Sequence, residues 1–185
     1  MQRMIPKRAP VTRPQSDEYA PYYEKYVSLI ASDDIVGVLE AQRVLMGQLL
    51  AARSEREGNF RYAPGKWSVK EVIGHVCDAE RIFAYRLLRI ARGDQTPLPG
   101  FEQDDYIAPA AFGERTLTDI AAEFAAVRAA TMTLVQSLAP EAWTRRGTAS
   151  DNPVSARAQA YIIAGHQLHH QNILNETYFP AIPRA

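Results

Sequence analysis

Apolar positions along this chain recur at helical spacing in four long runs. In the first, about Asp34 to Arg53, Ile35, Val38, Leu39, Leu45, Leu49 and Leu50 form one broad stripe, with Ser32 and Asp33 as capping side chains and Gly58-Asn59 marking the stop. The second run opens on the sharpest start signal in the chain. Pro64-Gly65 is a turn, Ser68-Val69-Lys70-Glu71 is a capping box, and Trp67 before the cap can staple onto Val72. This run reaches about Arg92 and stops at Gly93, with Val72, Val76, Phe83, Leu87 and Ile90 on its buried side. Thr116-Leu117-Thr118-Asp119 resembles the same box with a shorter acid and starts the third run, which ends near Leu138 ahead of Pro140. Ser155 caps the fourth run, Ala156 to about Thr177, which Pro180 and Pro183 end.

Four such runs, with no convincing strand pattern, predict an all-α protein built as a four-helix bundle. The links between runs are roughly fifteen, twenty-four and sixteen residues, against two to about eight in an up-down-up-down bundle, so long crossover loops are expected. The link Gly93 to Arg115 contains Pro97, Pro99, Gly100, Pro109 and Gly113 and shows no helical period, which makes it a candidate pocket wall. Residues 1–17, with Pro6, Pro10 and Pro14, read as an extended arm ahead of a single helical domain over residues 18–185. Tyr19, Tyr22, Tyr23 and Tyr26 follow the arm as an aromatic patch suited to core or subunit contact.

Composition narrows the function classes. The chain has 185 residues, 46% of them apolar, and 21 basic side chains balance 21 acidic ones. A neutral chain without a basic block offers no electrostatic reason for a nucleic-acid or anionic-membrane partner. No apolar stretch is long enough for a membrane span, and the N-terminal residues lack the apolar core of a secretory signal. Cys77 is the single cysteine, so an intrachain disulfide and a thiolate zinc cage are both excluded, and a reducing cytoplasm is the expected location. Any metal must therefore bind through histidine and oxygen.

The segment His166-Gln167-Leu168-His169-His170 carries three of the four histidines. His166 and His170, four apart on one helix, can aim both imidazoles at one point. His75, 91 residues upstream in the second run, would complete three ligands if the two helices pack together. Three protein ligands and an open position are the usual catalytic arrangement, where a metal lowers the pKa of a bound water to about 7 or ionises an incoming thiol. Imidazole suits zinc and nickel, and iron or manganese are also tolerated. His169, three from His166, is an alternative ligand, although the four-residue spacing favours His170 and leaves His169 as a pocket residue. Glu71 and Asp78 lie one turn either side of His75 and can accept its second ring N–H or act as proton acceptors. The bland readings are a chance helical His pair, a satisfied core His75, ordinary helix carboxylates and a packed Cys77. Of the arginines on the second run, Arg86 is the one placed to reach an anion in a pocket.

Lys66-Trp67-Ser68-Val69-Lys70-Glu71-Val72-Ile73-Gly74-His75, Glu80 to Arg86, Thr96 to Phe101 and Ala164 to His170 together resemble the DinB-like superfamily of metal-dependent enzymes. The resemblance covers about residues 25–178. It implies a four-helix bundle, often a homodimer, with a divalent metal on one histidine of the second helix and two of the fourth, matching His75, His166 and His170. It also implies a small-molecule substrate, with some relatives resembling transferases or isomerases that use low-molecular-weight thiols and others hydrolases. A metal- or ligand-binding stress protein without catalysis is the alternative expectation.

Overall fold

The computed structural model describes residues 11–183. Four long helices form the bundle: α1 (Ile35–Ala51), α2 (Val69–Ala91), α3 (Leu117–Ser137) and α4 (Ala156–Ile173). Their starts are fixed by side chains that satisfy orphan amides. Ser68 Oγ accepts from Glu71 N at 3.2 Å while the Glu71 carboxylate accepts from Ser68 N at 2.6 Å, as the capping box predicts. Thr116 and Ser155 cap α3 and α4 at 3.1 and 3.0 Å. In α1 the cap is Asp34, which accepts from Gly37 N at 2.9 Å, rather than Ser32 or Asp33. That helix also stops at Ala51, earlier than Gly58-Asn59, because Ser54 caps a separate short helix, Glu55–Gly58.

Helix α1 packs mainly on α3 and α4, and α2 on the same two, so α1–α2 and α3–α4 are the diagonals of the bundle. Residues 52–68 and 138–155 must each cross a diagonal, which explains their length. The second crossover contains strands that the sequence pattern did not announce: β1 (Arg146–Ala149) and β2 (Asn152–Ser155) pair antiparallel, with Arg146 opposite Ser155 and Ala149 opposite Asn152. Ser150 and Asp151 both take positive φ (51° and 60°), a turn normally signalled by Asn-Gly, and Pro153 masks the second strand. Residues 93–115 also hold a helix, Gln103–Ala110, against the expectation of none; among its residues only Ile107 is buried, so no stripe forms, and Pro109 sits inside it. Arg86, offered by its helix as an anion ligand, is instead buried and ties the 93–115 segment to the second crossover, donating to Pro99 O at 2.6 Å and Ser150 Oγ at 3.0 Å. Leu45, placed in the α1 stripe by spacing, is 52% exposed; Gln42 and Met46 take the inward positions.

The bundle core has two apolar parts. One gathers Ile35, Leu39, Leu87, Ile90, Val135 and Ile162; the other Met46, Leu50, Val72, Val76, Ile120 and Phe124. A buried polar layer lies between them. Arg128 of α3 makes a two-point ion pair with Glu80 of α2 at 2.7 and 2.8 Å and donates to Leu39 O of α1 at 3.1 Å. Gln42 Nε2 donates to Ala164 O of α4 at 2.8 Å. All four helices are thereby joined at one level, next to His75 and His166.

The described part of the arm and the aromatic patch lie over α4; Pro6 and Pro10 fall outside the described residues. Glu18 pairs with Arg157, and Tyr161 Oη donates to Val11 O at 3.1 Å and Ser32 O at 2.9 Å. The helical turn Glu24–Val27 sits directly on Gly165, where an added Cβ would overlap the Tyr26 carbonyl. Gly165→Ala is therefore expected to destabilise the protein by about 1–3 kcal/mol, the usual range for overpacking. Urea denaturation checks this, and an unchanged midpoint would show that the turn shifts at no cost.

Candidate metal centre

Helix α2 presents His75 two turns after its cap, and α4 presents His166 and His170 one turn apart. The α2–α4 contact brings all three together. His75 Nε2 and His166 Nε2 are 3.0 Å apart, and one nitrogen from each of the three rings lies within 4.8 Å of the others. His75 and His166 are buried and His170 is partly buried. Ring centroids are 4.9 Å apart for His75 and His166, 4.9 Å for His75 and His170, and 4.6 Å for the pair on α4.

Burial holds these imidazoles uncharged. It lowers His75 to about 4, and burial with the neighbouring rings lowers His170 to about 3 and His166 well below the ordinary range. Neutral imidazoles are the ligand form, so the donor set is ready for a cation at neutral pH. Zinc–nitrogen bonds of about 2.0–2.1 Å need tetrahedral ligand nitrogens roughly 3–3.5 Å apart, a spacing the closest pair nearly has. The residues present fit a divalent ion.

The same shifts set a pH dependence for the metal-free protein. In the unfolded chain these histidines titrate near 6.5, while the folded state refuses protons until about pH 4 and 3. Above 6.5 neither state is protonated and their contribution is complete; as pH falls from 6.5 towards 4 the unfolded state alone gains protons and stability drops. The expected slope is about 1.4 kcal/mol per pH unit for each such histidine. Urea midpoints of chelator-treated protein between pH 7 and 4.5 measure it, and a His75→Gln variant should show a shallower fall. Equal slopes would contradict the assignment.

The other expected residues lie nearby in different roles. His169 is partly exposed at the rim, its ring 5.1 Å from His170 and 5.3 Å from Tyr26. Glu71 closes the α2 cap and pairs with Arg61, and Asp78 pairs with Arg81 at 3.3 Å; neither is hydrogen-bonded to His75. Cys77 is buried in the second apolar cluster, away from the histidines, and burial pushes its thiol up. Aromatic rings that the histidine pattern did not point to form the walls. Trp67 is 5.0 Å from His75, Tyr26 5.2 Å and Phe83 5.5 Å from His166. A π-helical segment, Leu174–Tyr178, carries α4 onward so that Tyr178 Oη donates to Trp67 O at 2.8 Å. The motif Gly74-His75 and Gly165-His166 was the available signal: Phe112 packs into the space a Cβ of Gly74 would fill, and Tyr26 does the same at Gly165.

The family model described as the DinB superfamily matches residues 39–174. Among solved structures, the chain is similar to YfiT from Bacillus subtilis, described as a probable metal-dependent hydrolase with an unusual four-helix bundle topology. The TM-score is 0.70 at 16% identity, covering 86% of this chain and 91% of that one. It is also similar to a mycothiol-dependent maleylpyruvate isomerase, with TM-score 0.63 at 12% identity, covering 78% of this chain and 61% of that one. At these identities the likeness establishes the shared bundle. No curated protein matches the chain.

Proposed function

This chain belongs to the DinB superfamily, and from that premise we propose that it is a metal-dependent enzyme acting on a small molecule, with His75, His166 and His170 as the metal ligands. The observation that carries this reading is the convergence of three neutral imidazole nitrogens within 4.8 Å from two helices distant in sequence. No fourth histidine, cysteine, aspartate or glutamate joins the cluster among the described residues. That favours an open position over a filled structural site. The ion is zinc or nickel by ligand type, with iron or manganese as further occupants.

When bound, a divalent ion supplies Lewis acidity that acidifies a thiol or water. The chain's own residues do the rest. Trp67, Tyr26 and Phe83 pack their rings against His75 and His166, which are 3% and 4% exposed. His169, lowered by burial and by the Lys25 charge, is a neutral imidazole at the rim, placed to accept a proton from an incoming group. Glu71 and Asp78, engaged by arginines, have at most an indirect influence on the centre. A low-molecular-weight thiol as co-substrate is supported by the structural likeness to a mycothiol-dependent enzyme, and hydrolysis by the likeness to YfiT. A cytoplasmic homodimer is the setting we propose, given the lone cysteine and the frequency of two-fold assemblies. No helix among the described residues is long and apolar enough to cross a membrane.

The test is elemental analysis of protein purified without an affinity tag, followed by turnover assays with thiol–electrophile pairs and with ester, amide and lactone panels. About one equivalent of a transition metal, and turnover lost on chelation and restored by metal, are expected. Less than about a tenth of an equivalent after metal supplementation, or no turnover by loaded protein, would overturn the reading.

A further inference from the structure

The charge around the three histidines is one-sided. The ligands are neutral, Glu71 and Asp78 are engaged by Arg61 and Arg81, and no carboxylate joins the cluster among the described residues. A divalent ion there would keep its full charge, and a cationic side chain, Lys25, stands on the same side. The Lys25 ammonium lies 3.8 Å from the Tyr22 ring centroid and 4.9 Å from that of Tyr26, whose ring is in turn 5.2 Å from His166 and 5.3 Å from His169. Those two steps put Lys25 at the rim of the cluster. Lys25 forms no ion pair among the described residues, and the adjacent Glu24 is taken by the Tyr19 hydroxyl at 2.6 Å. Glu102, whose charge reaches Tyr22, forms no ion pair with Lys25 either. The turn that carries Lys25 is seated on Gly165, immediately before His166, so the backbone of the turn is placed relative to the ligands.

We propose that Lys25 is a specificity residue and that the ligand of this centre is a small anion: one atom faces the metal, and a carboxylate or similar group a few bonds away accepts hydrogen bonds from the Lys25 ammonium. This deepens the metal-enzyme reading and rests on it. Tyr22 and Tyr26 hold the solvent-exposed lysine head over their ring faces. An anion entering a site with aromatic walls, an uncompensated cation and an ammonium gains from both charges, and the low-dielectric walls strengthen the attraction.

The experiment uses the full chain loaded with cobalt(II) and two thiols of equal length, 3-mercaptopropionate and 3-mercapto-1-propanol. Thiolate-to-cobalt absorption reads binding, and the ligand-field bands read metal occupancy separately. The acid should bind about tenfold more tightly than the alcohol, with the difference shrinking as salt is added. Lys25→Met should reduce the preference to near unity with unchanged cobalt uptake, and Lys25→Arg should keep most of it. Equal binding of the two thiols by the unaltered protein, or a preference that survives Lys25→Met, would overturn the inference while leaving the metal site standing. Equal loss of both thiols in Lys25→Met would assign the residue a structural role and overturn it as well. A protein that takes up no cobalt overturns the metal reading and this inference together.

Discussion

Replacing Arg128 by alanine is expected to destabilise the protein by about 3–5 kcal/mol, the cost of leaving a buried charge without its partner. Arg128 is fully buried, and Glu80 is 2% exposed. The guanidinium satisfies both Glu80 oxygens, at 2.7 and 2.8 Å, and the Leu39 carbonyl. Alanine would strand the Glu80 carboxylate and free Leu39 O and Gln42 in a dry layer. Replacing both partners together, Arg128→Met with Glu80→Leu, should recover most of the loss, because an apolar pair of similar volume avoids the desolvation of two charges. Urea denaturation of the two singles and the double gives the coupling. A single-variant loss below about 1 kcal/mol would mean that water reaches the pair, and the buried-layer description would fall.

The second large effect is at the metal ligands. Loss of an outer hydrogen-bond partner of a ligand commonly costs 10–100-fold in metal affinity, so removing a direct ligand, in His75→Ala, His166→Ala or His170→Ala, should cost more than about 100-fold. His169→Ala should stay within about tenfold, since its ring packs against His170 and Tyr26 outside the three-nitrogen cluster. Competition between protein and a chromophoric chelator for zinc measures all four. The result that matters most is the contrast on α4: a His169→Ala loss as large as that of His170→Ala would reassign the ligand and with it the open side of the centre.

Much of the fold was legible because the signals are local. The Ser68–Glu71 box and the Thr116 and Ser155 caps mark helix starts with side chains that bond amides three residues away, and Gly93, at φ 84°, marks the end of α2, so the pattern and the structure agree there. The hairpin was hidden because Ser150-Asp151 adopts a turn usually built on glycine, and because strands of four residues show too little alternation to stand out. The helix Gln103–Ala110 was hidden because it lies on the bundle with one inward side chain, Ile107. Arg128 and Gln42 went unremarked although each interrupts an apolar stripe at an inward position, between Phe124 and Met132 and between Leu39 and Met46. A polar residue in such a stripe reads equally well as a helix edge until its partner on another helix is known.

The sequence by itself determined the four helices, the caps of the last three, the absence of an intrachain disulfide and of a thiolate zinc cage, and the i, i+4 spacing that puts His166 and His170 on one face. These are properties of residues a few positions apart, governed by backbone hydrogen bonding and the 3.6-residue turn. Only the tertiary structure decided that α2 lies beside α4, which brings His75 Nε2 to 3.0 Å from His166 Nε2, and that α1 and α2 stand on a diagonal. It also decided that Tyr26 lies over Gly165 and that Arg86 ties two connecting segments together instead of serving a ligand. The reason is physical: an amphipathic helix specifies which face it buries, but which of several similar faces it meets depends on the summed fit of all four helices and of the segments that cross them.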